Sequence, residues 1–151
     1  MTEEVRRSVT VAAPPERAFE VFTAKFAAWW PPTHHIGAAA LADAVVEPFA
    51  GGRWFERGVD GSECDWGVVL AYEPPTRLVL SWHIDGDWSH DPDPARASEV
   101  EVTFTEVAGG TRVDLVHRGF ERHAASAARV RDGVAGEGGW TGILAGYAAV
   151  V

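Results

Sequence analysis

One cysteine, Cys64, stands among 151 residues. No disulfide can therefore form within the chain, and a reducing, cytoplasmic setting is expected. No apolar run approaches the roughly 20 residues that span a bilayer, and the opening MTEEVRRSV lacks the apolar core of a secretory leader. Positive charge is scarce as well: 13 Lys and Arg face 22 Asp and Glu, a formal net charge of −9. That shortfall argues against nucleic acid, whose phosphates demand a basic footprint, and against an anionic membrane surface. Its main consequence is solubility.

What the chain does have is aromatic bulk. Seven tryptophans stand at 29, 30, 54, 66, 82, 88 and 140, enough large flat side chains to build both a core and the wall of an apolar pocket. A chain of this length fits one domain, 1–151, and buries roughly two-thirds of its unfolded surface.

The stretch 6–13 alternates weakly and reads as a first strand. Pro14 and Pro15 then open a helix, since proline is tolerated in a first turn. Phe19, Phe22 and Phe26 give it an apolar stripe, and WWPP at 29–32 ends it, because a residue before proline is pushed out of the helical region. From 43 to 118 six further strands follow (43–49, 52–58, 62–72, 77–84, 97–107 and 111–118), mostly joined by short turns. Short links imply an antiparallel meander. Within it Ser98, Val100, Val102 and Phe104 face one way and Glu99, Glu101, Thr103 and Thr105 the other, so one sheet face is wet and one covered. The cover is expected at the C-terminus, where Trp140, Ile143, Leu144, Tyr147, Ala148 and Val151 make a helical stripe over 138–151. An Ala-rich helix is expected before it, at 122–132.

The segment DLVHRGF raises a specific question. Val113, Leu115 and His117 share one face, so the histidine points the same way as core residues. A two-residue Gly109-Gly110 turn would set His117 opposite Val102; a four-residue loop over 107–110 would set it opposite Val100. Both registers keep it on the covered face, since only a slip by one turns the faces over.

Taken together, the runs GGRWFERGVDGSECDWGVVLAYEPPTRLVLSW (51–82), SEVEVTFTEVAGGTRVDLVHRGF (98–120) and GGWTGILAGYAAVV (138–151) resemble the START-like SRPBCC superfamily. The branch is the one similar to the C-terminal domain of the activator of the heat-shock-protein-90 ATPase. The resemblance covers residues 5–151 and implies an α+β helix-grip fold: a curved antiparallel sheet wrapped around a long C-terminal helix, with a cavity between them. It also implies the binding of apolar small molecules, an interaction role, or, in some relatives, enzymatic activity.

The expected function is accordingly the binding of a small apolar or aromatic ligand between sheet and helix. The wall would come from Trp30, Trp54, Trp66, Trp82, Phe104, His117, Trp140, Leu144 and Tyr147, with His117 as the polar contact. Alternatives are a cyclase- or hydrolase-like enzyme on the same fold, with Glu56 a possible partner for His117, and a chaperone-linked interaction module. No cofactor and no metal are expected. The acidic loop at 85–94 has His90 and Arg96 where a calcium loop needs Gly and Glu, and the adjacent His34 and His35 do not readily converge on one ion. The oligomeric state is expected to be monomer or homodimer.

Overall fold

The structure, a computed structural model, describes residues 3–151. Seven strands form one sheet: β1 (Val5–Val11), β2 (Leu41–Val46), β3 (Arg53–Gly58), β4 (Glu63–Glu73), β5 (Arg77–Trp82), β6 (Ser98–Val107) and β7 (Gly110–Arg118). Their order is β1-β7-β6-β5-β4-β3-β2, antiparallel throughout. This is the expected meander, with the first strand returning to pair with the last. Register shifts between Trp54 and Phe55 in β3 and between Val69 and Ala71 in β4 are bulges of the kind that bend a strand and curl a sheet. The close approach at β4 requires a glycine. A Cβ on Gly67 would lie 1.7 Å from the Ser81 carbonyl oxygen.

The β6–β7 hairpin takes the register that sets His117 opposite Val100. It does so through a two-residue turn at Ala108-Gly109, one place earlier than the Gly109-Gly110 pair. Gly109 has φ +83°, a conformation that glycine adopts at little cost. On the outer face Arg118 reaches both neighbours, donating to Glu101 at 2.6 Å and to Glu99 at 3.2 Å.

The concave face is covered by helices. α1 (Pro15–Thr23) and α2 (Phe26–Trp29) split the single helix expected up to WWPP, and Phe19, Phe22 and Phe26 are all buried beneath them. At the other end a 3-10 run, Phe120–Ser126, leads into α3 (Ala127–Ala135), a π turn over Glu137–Thr141, and α4 (Gly142–Val150). The C-terminal helical layer is thus divided, and 138–151 is not one regular helix. The break belongs to Gly139, whose backbone is non-helical (φ −91°, ψ −140°) and where a Cβ would fall 2.2 Å from the Val134 carbonyl oxygen. α4 packs back through Tyr147, whose hydroxyl donates to the Ala18 carbonyl at 2.7 Å. That bond clamps the last helix to the first.

Candidate functional site

A cavity of about 490 Å³ opens between the curled sheet, the loop after α2 and the broken C-terminal helices. This is a typical size for a small-molecule site. Trp30, Trp66 and Trp82 line it, joined by Ile36, Ile84 and Trp88. Trp30 and Trp66 lie with ring centroids 5.0 Å apart. Among the described residues the polar side chains on the wall are Thr33, His34 and His35, and no charged side chain lines it.

The remaining expected wall residues lie elsewhere. Trp54, Phe104, His117, Trp140, Leu144 and Tyr147 are buried in the packed interior, at most 4% exposed, and none lines the cavity. α1 packs on β6 and β7 and α4 on β1, filling that part of the grip, while Trp54 on β3 is closed in by Phe26, Trp66 and Trp82. The opening lies instead toward β4 and β5.

His117 is fully buried and enclosed in a hydrogen-bonded relay. Trp140 Nε1 lies 3.0 Å from His117 Nδ1, His117 Nε2 lies 2.8 Å from Ser98 Oγ, and Ser98 Oγ lies 2.8 Å from His123 Nε2. Burial holds the His117 imidazole well below its ordinary pKa, and the neighbouring His123 pushes the same way. The histidine in DLVHRGF faces inward because it ties the sheet to the C-terminal layer.

Glu56 is inward, as its strand parity allowed, but it does not meet His117. The residue is 1% exposed, and its carboxylate accepts from Trp66 Nε1 at 2.8 Å, from the Ile36 amide at 2.6 Å and from the Gly37 amide at 3.2 Å. Three donors satisfy the buried charge. Glu56 thereby pins the loop carrying His34 and His35 against β3 and orients the Trp66 indole on the cavity wall.

The two histidines of that loop differ. His34 donates from Nε2 to the Gly138 carbonyl at 2.7 Å, and its Nδ1 lies 3.1 Å from Thr33 Oγ1. It latches the loop to the Gly-rich turn before α4. His35 donates from Nδ1 to the Gly37 carbonyl at 2.8 Å, which leaves Nε2 of the neutral ring as a lone pair.

Sequence reasoning missed Trp88. It stands in the acidic loop at 85–94, which reads as a plain solvated turn. Here Asp85 organises the turn, its Oδ1 accepting from the Asp87 and Ser89 amides at 2.8 and 3.1 Å. Arg129 on α3 holds Asp87 at 2.9 Å. The six other tryptophans are at most 6% exposed, whereas Trp88 is 53% exposed and its backbone is left-handed, with φ +59°. Its ring lies against Gly133, where an added Cβ would be 3.3 Å from the indole edge. The one available signal was the DGDW string, an Asx-turn former running straight into a large aromatic.

Comparison with known proteins fits this geometry. A solved structure of an anthrahydroquino-Gama-pyrone synthase, Txn09, complexed with SUM is 44% identical, with 98% of this chain and 96% of that one covered and a TM-score of 0.69. The solution structure of a self-sacrificing resistance protein, CalC from Micromonospora echinospora, is 34% identical, covering 99% and 94% at a TM-score of 0.72. Protein Ms6760 from Mycobacterium smegmatis is 25% identical, covering 99% and 91% at a TM-score of 0.68. Among curated proteins none matches. The family model for Activator of Hsp90 ATPase homolog 1-like protein matches residues 12–151. With a curled antiparallel sheet, a covering C-terminal helix and a match over nearly its whole length, the chain belongs to the Activator of Hsp90 ATPase homolog 1-like family of START-like SRPBCC domains.

Proposed function

We propose that the cavity binds a flat, polycyclic aromatic small molecule, with Trp30, Trp66 and Trp82 as its inner wall and Trp88 at its mouth. One observation carries this reading: four indoles converge on a cavity of about 490 Å³ whose wall has no charged side chain. Indoles offer large rigid faces for stacking or edge contact with another ring system, while an uncharged wall disfavours ions. The 44% identical synthase, whose product name describes fused aromatic rings, supports the same ligand class.

Anthraquinone is a suitable probe. Titrated into the protein, it should quench tryptophan fluorescence saturably at one-to-one stoichiometry, and Trp82→Ala should weaken binding. Quenching that never saturates, or that survives Trp82→Ala unchanged, would remove the cavity as the site.

A further inference from the structure

We infer that His35 Nε2 is the general base of this cavity, taking the proton of an acidic hydroxyl, phenolic or enolic, on the bound aromatic ring system. The inference rests on the aromatic-ligand reading and adds a chemical activity to it.

The wall holds no carboxylate, lysine, tyrosine or cysteine, so a base must come from Thr33, His34 or His35. His34 has both ring nitrogens engaged, by Gly138 and Thr33. The Gly138 carbonyl can only accept, so His34 Nε2 carries hydrogen, and in the neutral ring Thr33 must donate its own proton to Nδ1. The other histidines are no better placed. His83 is held by Asp91 and Ser81, and His117 by Trp140 and Ser98; His90 and His123 do not line the cavity. Among the described residues His35 alone lines it with an open ring nitrogen.

Its orientation is fixed in the way a catalytic imidazole needs. The Gly37 carbonyl accepts a hydrogen bond from Nδ1–H at 2.8 Å, selecting the tautomer whose Nε2 is basic. Gly37 is itself held by Glu56 through its amide. The chain Glu56–Gly37–His35 therefore aims the ring from β3. Glu56 is a positioning residue here, because it touches the loop and not the ligand.

In the proposed step the hydroxyl O–H bond breaks and the proton passes to the Nε2 lone pair. The electron pair stays on oxygen as a phenolate or enolate, facing the imidazolium just formed. Nδ1–H remains on the Gly37 carbonyl, so the ring need not turn. Such an oxyanion is the nucleophile that closing an oxygen heterocycle requires.

The test compares two probes, alizarin, a dihydroxyanthraquinone, and unsubstituted anthraquinone, on the whole protein and on His35→Asn and His35→Gln. The asparagine amide can keep the bond to the Gly37 carbonyl while deleting the Nε2 acceptor. Alizarin should bind the wild type more tightly than anthraquinone, and His35→Asn should erase about tenfold of alizarin affinity while leaving anthraquinone unchanged. The visible spectrum should show bound alizarin ionising about one unit below the free dye in the wild type, because an imidazolium faces its oxyanion. In both variants burial should move that midpoint upward instead. An equal loss for both probes would reduce His35 to a loop-holding residue, and an unshifted or raised midpoint in the wild type would overturn the base. If anthraquinone itself fails to bind, the aromatic-ligand reading fails and takes this inference with it.

Discussion

Trp140 Nε1–H donates to His117 Nδ1 across 3.0 Å, and an indole can only donate. That one bond orders the relay behind it. His117 must accept at Nδ1, so its single proton is on Nε2 and is given to Ser98; the Ser98 hydroxyl then has its own proton free for His123 Nε2. Both histidines are neutral in this arrangement, and each has its pKa lowered, chiefly by burial.

Stability should therefore fall on mild acidification. The unfolded chain presents histidines with a pKa of about 6.5, whereas the folded values lie lower. Above pH 6.5 neither state binds the proton and the full stability is present. Below it the unfolded state takes up protons that the native state refuses, so stability is lost as pH falls toward the folded values. The slope from His117 is up to about 1.4 kcal/mol per pH unit. Urea denaturation at pH 7.5 and 5.5 measures it. His117→Gln should flatten the dependence, and an equally steep curve in that variant would assign the effect to other groups.

His117→Leu should destabilise by about 2 kcal/mol or more, because it strands the buried Trp140 N–H and takes from Ser98 Oγ the donor it accepts. Adding Trp140→Phe removes one of those stranded groups. The double variant should lose less than the sum of the two single changes, a coupling read from chemical denaturation. Strict additivity would mean that the indole and the imidazole do not share a bond.

Trp88→Gly separates binding from folding. The left-handed backbone at Trp88 is unfavourable for a side-chain-bearing residue by about 1 kcal/mol, and the indole is half exposed. Removing it should leave thermal stability nearly unchanged, since relief of strain offsets the added freedom of glycine. Anthraquinone affinity should fall about tenfold, the loss expected for one good aromatic contact. A large drop in melting temperature would make Trp88 a structural residue.

How much of this was legible follows from which physics sets each part. Strand parity has a period of two, so His117 could be placed on the covered face from the sequence, and Glu56, sharing a face with Trp54, could be inward. Their partners could not be placed, because the relay and the Glu56 cradle join residues 19 to 25 and 10 to 20 positions apart. The β6–β7 register was narrowed to two choices, and the left-handed Gly109 decided it. The aromatic wall was half legible. Trp30, Trp66 and Trp82 were singled out, while Trp54 and Tyr147 went to the core, since composition cannot say where packing stops. His35 and Trp88 were hidden for a different reason: each stands on a loop whose shape comes from carboxylates, Glu56 and Asp85, bonding to backbone amides. An adjacent His-His pair and an acidic loop look inert until those bonds are known.

The glycine-rich break before α4 gives the fold a place to tune. Gly138 lines the cavity, and a Cβ built there meets nothing within 4 Å, whereas one on Gly139 would collide with backbone. Two neighbouring positions thus carry opposite freedoms: one must stay glycine for the chain to turn, and the other is free to grow. A lineage, or a protein engineer, could narrow the cavity step by step through Gly138→Ala, Gly138→Val and Gly138→Leu without disturbing the sheet. The cavity's shape would then drift by single residues while the scaffold is inherited intact.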